Sequence, residues 1–344
     1  MKKIRKGLAV VLAGCTVGAF AFTGCKNGEA DERAVALVPI ANPAVISPAL
    51  GYDYYLTAEP LASAKVKATA STPTPLHIVA DLQKLYGGEN GYPQAVLVAK
   101  SSFIAEHGAW VDAFMQDMVE ASTWLRLETT EISTVVNAVS ANLTEGMAPS
   151  LNENNLTKAV IENCGVRFVN ALESKAEINA FLEDLLSVDE NSAKRVEDAF
   201  FYGGNGQGVL TDKKAKVVMP DGAPALAMAK FMSENRADCE FEVVNANTIA
   251  TFVTGENPKA DLCVLPLNAG SKLLGNGEKY KLLGTVTHGN LYLLSTDKNA
   301  KIESADKLNA LLGKRVGTIQ INNVPGLTLK LLLKKNGVKY TEQA

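Results

Sequence analysis

From residue 209 to the C-terminus, short apolar runs alternate with segments of helical length. Strands that alternate with helices in this way predict mostly parallel sheets with helices on both faces, so we expect an α/β fold. Ligands in such sheets bind beyond the carboxyl ends of the strands, which makes the loops there the candidate site. The predicted strands are AKVVMP, EFEVVN, ADLCVLP, KYKLLGTVT, NLYLLST and KRVGTIQ, and the predicted helices are APALAMAKFMSEN, NTIATFVTG, NAGSKLLGNG and PGLTLKLLLKKNG.

The part of the chain before residue 209 divides into two regions. Residues 33–100 contain four further predicted strands, AVALVPI, YDYYLTA, LHIVA and QAVLVAK, with EPLASAKVKA as a helix between them. Residues 102–201 have helical periodicity, and Ser102 is a candidate cap for a helix whose apolar stripe faces the core. The run GGNGQG at 203–208 lacks the spacing of a dinucleotide-binding loop, so we interpret it as a flexible linker.

The first 25 residues have the pattern of a signal segment. Four basic residues precede an apolar stretch that is too short and wrongly flanked for a spanning helix. Both LAGC and FTGC end in a cysteine preceded by small residues, as in the lipobox of bacterial lipoproteins. Cleavage before Cys15 would leave TVGAFAF exposed, whereas Cys25 is followed by the polar tether KNGEADE. We therefore predict lipidation at Cys25, with an unlipidated, cleaved secretory peptide as the alternative.

Charge and cysteine content exclude several classes of protein. The formal net charge is −3, and the first 24 residues contribute +4, so the remainder of the chain carries −7. An acidic body without a basic patch argues against nucleic acid as a partner. The cysteines at 164, 239 and 263 form neither a CxxC pair nor a zinc motif. We expect buried free thiols, with a bridge between Cys239 and Cys263 as the alternative.

The usual signatures of catalysis are missing from the sequence. The chain has three histidines that are far apart, no HExxH, no GxSxG, and Asn276 where a phosphate-binding loop needs its lysine. Polar loops do follow several predicted strands. In MPDGAPA and QINNVPG, a proline stands at the predicted start of a helix, and the backbone N–H groups of a helix start can face a strand-end crevice. Further polar loops are TAEP, PLNAG and VTHGN.

Several of these segments resemble one protein family. VVMPDGAPALAMAKFM, ADLCVLPLNAGSKLLG, GTVTHGNLYLLS, GKRVGTIQINNVPGLTLKLLLKKNGV, GYDYYLTAEPLASAKVKA and YPQAVLVAKSSFIAEHGAWVDAFM are together similar to the extracytoplasmic solute-binding proteins of ABC importers. The most similar branch is the two-lobed type II group that includes nitrate, sulfonate, taurine and thiamine-precursor binders. The lipobox agrees with this resemblance, because Gram-positive members are tethered to the membrane by lipid.

The order of the segments differs from the order in that family. There the MPDGAPA strand opens the mature protein, whereas here residues 31–202 resemble the back portion and 209–344 the front. The resemblance therefore implies a circular permutation in which 203–208 joins the former termini, with Ala344 near Asp31 and with AVALVPI and KRVGTIQ in one lobe. It implies one lobe from 94–295 and a second lobe from 31–93 plus 296–344, with hinge crossings near Gln94 and Ser295.

The resemblance implies a monomeric, lipid-anchored receptor on the outer face of the cell membrane. It would bind a small polar solute between its lobes and deliver the solute to an ABC permease, with no catalytic residue, cofactor or metal. Asp221 and Glu59 favour a neutral or zwitterionic solute, such as an amino sulfonate or a heterocyclic vitamin precursor. The alternatives are a metal- or cofactor-dependent enzyme on the same fold, like the pyrimidine-precursor synthases, and a sensor lipoprotein. The predicted ligand contacts are Asp221, Gly222, Ala223, Asn268, His288 and Asn290 from one lobe, and Gln320, Asn322, Asn323, Thr57 and Glu59 from the other.

Overall fold

The computed structural model of the protein describes residues 34–211 and 213–343, so the predicted signal segment and Cys25 lie outside the described residues. In these ranges the chain forms an α/β fold with two six-stranded sheets. Sheet A has the order β12-β1-β11-β2-β10-β3, and sheet B has the order β5-β9-β4-β8-β6-β7. The strands are β1 (Val35–Ile40), β2 (Tyr54–Ala58), β3 (His77–Asp81), β4 (Ala95–Lys100), β5 (Val166–Asn170), β6 (Ala215–Pro220), β7 (Cys239–Val244), β8 (Leu262–Pro266), β9 (Tyr280–Thr287), β10 (Leu291–Ser295), β11 (Arg315–Ile319) and β12 (Tyr340–Glu342).

Both sheets are mixed, which corrects the expectation of mostly parallel sheets. β10 pairs antiparallel with both β2 and β3, and β4 pairs antiparallel with both β8 and β9. These two strands follow the points at which the chain passes from one sheet to the other, so each enters its new sheet against the direction of its neighbours. β5 also pairs antiparallel with β9. Parallel pairing remains between β1 and β11, β1 and β12, β11 and β2, β6 and β7, and β6 and β8.

Most predicted helices are present, with changed boundaries. The helix after β4 begins at Ser101, with Lys100 at the cap position, so Ser102 lies in the first turn and does not cap it. The segment APALAMAKFMSEN forms two short helices, and NTIATFVTG contains only a 3₁₀ turn at Ile249–Phe252. The helices are α1 (Leu61–Thr69), α2 (Leu82–Gly87), α3 (Ser101–Trp124), α4 (Ile132–Ser140), α5 (Lys158–Asn163), α6 (Ala171–Val188), α7 (Ala223–Leu226), α8 (Ala229–Ser233), α9 (Leu267–Leu274) and α10 (Val324–Lys335).

The chain crosses between the sheets twice. The first crossing is the segment 91–94 before β4, and the second is the segment 288–290 between β9 and β10. Because β10 belongs to sheet A, the second crossing precedes the expected position at Ser295 by about one strand. Sheet B is thus built from one continuous stretch of sequence, whereas sheet A combines strands from both ends of the chain.

The two ends of the described chain meet in sheet A. AVALVPI contains β1 and KRVGTIQ contains β11, and the two strands pair in parallel, so both segments lie in one sheet as expected. β12 pairs with the other edge of β1, which places Tyr340 opposite Val35. Asp31 and Ala344 themselves lie outside the described residues.

One apolar core is shared by the two sheets. A single cluster includes Leu56 and Leu293 from sheet A together with Val96 and Val218 from sheet B. Helix α6, which follows β5 of sheet B, packs against α10, which follows β11 of sheet A. At this contact the Asp184 carboxylate accepts hydrogen bonds from the Tyr86 hydroxyl at 2.8 Å and the Lys335 ammonium at 2.5 Å. Two further apolar clusters cover the remaining faces of the sheets.

The glycine-rich run 203–208 is a packed loop and not the flexible linker that its composition predicts. Helix α3 has a non-helical residue at His107, and the next two N–H groups donate to the carbonyls of Gln207 at 2.6 Å and Gly208 at 3.0 Å. A Cβ on Gly206 would lie 2.4 Å from Gly108 Cα. Both positions therefore need glycine, because the two backbones approach each other too closely for any side chain.

Among the helices that the structure describes, none combines the length and apolar composition that a membrane crossing requires.

Candidate ligand cleft between the two sheets

A cavity of about 250 Å³ lies where the strand ends of the two sheets face each other. Sheet A contributes the carboxyl ends of β2 and β11 with the helix starts after them, and sheet B contributes the ends of β6, β8 and β9 and the start of β4. This is the position at which open α/β sheets bind ligands. The lining residues are Pro43, Thr57, Ala58, Glu59, Pro60, Leu61, Gln94, Ala95, Ser150, Pro220, Asp221, Gly222, Ala223, Pro224, Ala246, Leu265, Pro266, Thr287, Asn290, Ile319, Gln320, Val324 and Pro325.

The cavity contains seven of the eleven residues proposed as ligand contacts, from both predicted lobes. Four predicted contacts lie outside its lining. Asn268 is buried in α9, where its Nδ2 donates to the Ser192 carbonyl at 3.3 Å. Asn322 accepts from Lys330 at 3.2 Å, and Asn323 is the exposed cap residue of α10. His288 is buried behind the cleft. The seven residues in the lining are Thr57, Glu59, Asp221, Gly222, Ala223, Asn290 and Gln320.

A relay of two side-chain amides crosses the floor of the cleft. The Asn290 Nδ2 donates to the Glu59 carbonyl oxygen at 3.2 Å, and the Gln94 Nε2 donates to Asn290 Oδ1 at 2.8 Å. A backbone carbonyl can only accept, so it fixes the orientation of the Asn290 amide, which in turn fixes the orientation of Gln94. The relay leaves the Gln94 Oε1 acceptor buried and without a hydrogen-bond partner among the described residues.

Thr57 presents the second unpartnered polar group of the cleft. Thr57 is 0% exposed in β2, and its hydroxyl has no hydrogen-bond partner among the described residues. Buried polar groups in native proteins nearly always have a partner, so this hydroxyl is an exception within the described residues. Thr57 belongs to β2 of sheet A, and Gln94 immediately precedes β4 of sheet B.

The two carboxylates of the cleft are already engaged. Glu59 is 2% exposed and accepts from the Ser63 N–H at 2.9 Å and the Ser63 hydroxyl at 2.6 Å, so it caps the first turn of α1. Asp221 accepts from the backbone N–H groups of Gly222 at 2.7 Å and Ser150 at 2.9 Å. All these donors are uncharged, and the cavity lining contains no lysine, arginine or histidine in the described part of the chain.

The start of each of the four helices at the cleft carries a proline. Pro60 and Pro266 occupy the cap positions of α1 and α9, and Pro224 and Pro325 lie in the first turns of α7 and α10. Proline has no N–H group, so each of these helix starts presents one donor fewer to the cleft than a standard helix start. The sequence pattern that suggested anion-binding helix starts thus produces mainly apolar walls.

Gln320 has an unusual backbone conformation at the edge of the cleft. It follows β11 with a φ of 43°, in the left-handed region that residues other than glycine seldom adopt. Its carbonyl accepts from the Asn323 N–H at 2.8 Å, which holds the turn before α10. Strained residues of this kind cluster at ligand sites, and Gln320 lies on the cavity wall.

His288 lies in the second crossing between the sheets, not in the cleft. It is 5% exposed, and its Nδ1 lies 3.2 Å from the Arg167 guanidinium. Burial, together with the charge of Arg167, lowers the pKa of His288 to about 3. The imidazole is therefore neutral, accepts at Nδ1 and carries its proton on Nε2, which has no partner within the described residues.

The two crossings are in direct contact through glycines. A Cβ on Gly91, in the first crossing, would lie 2.2 Å from the His288 carbonyl oxygen. A Cβ on Gly165 would lie 2.3 Å from the Gly289 carbonyl oxygen on the other side of the second crossing. The second crossing thus lies between two backbone segments that approach it closely. Positions 91 and 165 must both be glycine to allow this approach.

A larger groove of about 640 Å³ lies elsewhere, between α3, the start of α6 and the loop at 203–205. It lies at the Asn170 end of β5, whereas the cleft lies at the opposite, Val166 end, which pairs with Thr287. Only the smaller cavity receives residues from both sheets, so it is the better candidate site.

In residues 34–211 and 213–343 no group of three or more His, Cys, Asp or Glu is arranged to hold a metal ion. No protein-family model matches the chain, and no curated protein is significantly similar to it. Sequence reasoning missed Gln94, Thr287 and the apolar wall. Polar residues just before β4 and at the end of β9 were the available signal.

Proposed function

We propose that this protein is a solute-binding receptor of an ABC importer, which binds one small solute in the cleft between its two sheets. The observation that carries the proposal is the cavity itself: residues of both sheets line it at the strand ends, where α/β sheets bind ligands. Such a concave, largely apolar site with a few convergent polar groups is typical of small-molecule binding.

The proposed mechanism is closure of the two sheet units around the solute. Only two short segments cross between the sheets, and they touch each other at Gly91 and His288. Hydrogen bonds between the units include those from the Lys67 ammonium to the Asn154 carbonyl at 2.6 Å and from the Tyr292 hydroxyl to the Asn163 carbonyl at 3.1 Å, besides those to Asp184. A solute that contacts lining residues of both sheets stabilises the closed arrangement, because only there are both sets of contacts within reach.

The resemblance noted above adds three parts to the proposal. The fold is of the type II periplasmic-binding kind, the chain is a circular permutation of that order, and Cys25 carries a lipid that anchors the receptor outside the cell membrane beside its permease. Support for the permutation comes from the pairing of β1 with β12, which brings the two ends of the described chain together. A reordered chain, with 213–343 placed before 34–211 through a short linker, should fold and bind the same solute.

The binding function is tested by recovering the solute. The purified full-length chain is denatured, and mass spectrometry identifies any small molecule released. Thermal denaturation with the recovered compound should then show a stabilisation of a few degrees at saturating concentration.

A matched pair of variants ties that stabilisation to the cleft. Ala246 is exposed on the cavity rim, and Ala237 is equally exposed in the turn before β7, at the other end of sheet B. Ala246→Trp should abolish the thermal shift, whereas Ala237→Trp should preserve it. Loss of the shift in both variants, or in neither, contradicts binding in the cleft. Stoichiometric iron in the purified protein, together with turnover of a pyrimidine precursor, would instead favour the enzyme.

A further inference from the structure

The floor of the cleft is formed by residues at the two crossings. Gln94 ends the first crossing, Thr287 ends β9 just before the second, and Asn290 ends the second; all three line the cavity. The Gln94 N–H donates to the Thr287 carbonyl at 2.9 Å, and the Gln94 side chain donates to Asn290 Oδ1 at 2.8 Å. The Glu59 N–H donates to the Asn290 carbonyl at 2.8 Å. Because these hydrogen bonds join the crossings to each other and to the end of β2, a shift of either crossing moves the cleft floor.

One side chain outside the cavity lining contacts both crossings. Gln83 in α2 is 8% exposed, and its Oε1 accepts from the Leu291 N–H, directly after the second crossing, at 2.6 Å. The same oxygen accepts from the hydroxyl of Tyr92, in the first crossing, at 3.3 Å. Glycines of both crossings pack on this side chain, since a Cβ on Gly289 would lie 2.4 Å from Gln83 Cγ and one on Gly91 would lie 3.5 Å from Gln83 Cβ. Gln83 therefore links the two crossings.

The orientation of the Gln83 amide is fixed within α2. Its Nε2 donates to Asp81 Oδ1 at 3.0 Å, and the same oxygen accepts from the Lys84 N–H at 3.1 Å and so caps the helix. The amide therefore turns its NH₂ group to Asp81 and its oxygen to the crossings. Leu291 is 0% exposed, so without Gln83 its N–H would be buried and would lose its acceptor.

We propose that Gln83 is a positioning residue of the cleft, which couples the two crossings so that they and the floor residues move together when the cleft opens and closes. Gln83 does not itself touch the solute. The part that concerns opening and closing rests on the receptor function proposed above, whereas the coupling is a property of the chain without solute. A side chain of α2 thereby controls the geometry of the cleft floor at Gln94 and Asn290.

Hydrogen exchange of single backbone amides, measured by NMR on the full-length chain without added solute, tests the coupling. Gln83→Met removes the acceptor at similar size, so the Leu291 amide should exchange about tenfold faster. The informative amides are those of Gln94 and Glu59, because their own acceptors are backbone carbonyls that the substitution leaves in place. Coupling predicts that both of these amides exchange at least about threefold faster.

Thr69 provides a matched control. It is 9% exposed at the end of α1, and its Oγ1 accepts from the Leu76 N–H at 2.9 Å, just before β3 and at the opposite end of sheet A from the cleft. Thr69→Val also removes a buried side-chain oxygen from a backbone N–H beside a strand of sheet A, so the Leu76 amide should exchange faster. Exchange at Gln94 and Glu59 should stay within about twofold of the native rate.

Two results overturn the coupling. The first is faster exchange at Leu291 in Gln83→Met with native rates at Gln94 and Glu59, which makes Gln83 a local acceptor only. The second is an equal rise at Gln94 and Glu59 in Thr69→Val, which makes the effect a general loss of stability.

A milder variant keeps the test decisive if Gln83→Met does not fold. Tyr92→Phe removes only the hydroxyl that the first crossing donates to Gln83. Coupling predicts that exchange at Leu291, after the second crossing, rises at least about twofold. An unchanged rate at Leu291 overturns the coupling.

The receptor function is tested separately by the compound recovered from the denatured protein. This compound should slow exchange at Gln94 and Glu59 in the native protein, because both residues line the cavity. If it raises thermal stability but leaves these two rates unchanged, the role of the coupling in closure is wrong. If no compound is recovered, the receptor function falls and the coupling, measured without solute, still stands or falls on the variants.

Discussion

His288 should make the protein lose stability in mild acid. Burial and the neighbouring Arg167 lower its pKa from 6.5 to about 3 in the folded state. The unfolded chain therefore takes up a proton near pH 6.5, whereas the folded chain does not until about pH 3. The stabilising effect of a neutral His288 is complete above pH 6.5 and is lost progressively as the pH falls from there towards 3.

The size of the effect follows from the shift in pKa. Between pH 6.5 and 3 the free energy of unfolding should fall by about 1.4 kcal/mol per pH unit because of this residue alone. From pH 7 to pH 4.5 the loss amounts to about 2–3 kcal/mol. Carboxylates also titrate in this range, so the informative quantity is the difference between the pH profiles of the native protein and of a His288 variant.

The assay is urea denaturation at half-unit steps from pH 7.5 to 4.5. In His288→Gln the free energy of unfolding should depend less on pH by the amount given above. Burial is the larger cause of the shift, so Arg167→Met should retain most of the native slope. If His288→Gln has the same pH profile as the native protein, the assignment of a buried, neutral imidazole is refuted.

Three further predictions concern packing. Gly206→Ala should destabilise the fold by about 1–3 kcal/mol, because its Cβ would lie 2.4 Å from a backbone atom of α3, whereas Gly203→Ala, with open space around it, should change the free energy of unfolding by less than about 0.5 kcal/mol; urea denaturation measures both. Arg236 lies over three aromatic rings and pairs with two aspartates, so Arg236→Met should cost about 2–4 kcal/mol in the same assay, whereas Arg195→Met, at an exposed ion pair, should cost much less. Burial raises the pKa of the three described thiols, so a water-soluble thiol reagent at pH 8 should modify them only after denaturation, and rapid modification of the native protein would contradict their burial; they are Cys164, Cys239 and Cys263.

The alternation of apolar runs with helical segments predicted the α/β class and ten of the described strands. The two strands it missed have weak local signals. β5 follows directly on helix α5 and pairs only with β9, and β12 has three residues at a sheet edge. Strand direction was harder to predict. A strand pattern has the same period whether its neighbour runs parallel or antiparallel, and the antiparallel entry of β4 and β10 depends on where the chain crosses between the sheets.

The composition of residues 203–208 was misleading because glycine serves two opposite purposes. In a solvated linker it provides flexibility, whereas at Gly206 it permits a backbone contact with Gly108 that fixes the loop. The partner lies about a hundred residues earlier in the sequence, so no local pattern could distinguish the two cases. The prediction of buried free thiols, by contrast, is confirmed for the three described cysteines.

The candidate site shows why strand-end loops can be predicted from sequence while the chemistry of the site cannot. Loop position follows from the fold class, and Thr57, Glu59, Asp221 and Gln320 do line the cleft. Whether a polar atom faces a ligand depends on what its neighbours already use. Asp221 accepts from two backbone N–H groups, whereas the Gln94 oxygen has no partner among the described residues, because the Glu59 carbonyl, two hydrogen bonds along the relay, orients both amides. That orientation requires Glu59, Asn290 and Gln94 to meet from three separate segments, so the unpartnered oxygen is a property of the folded chain alone.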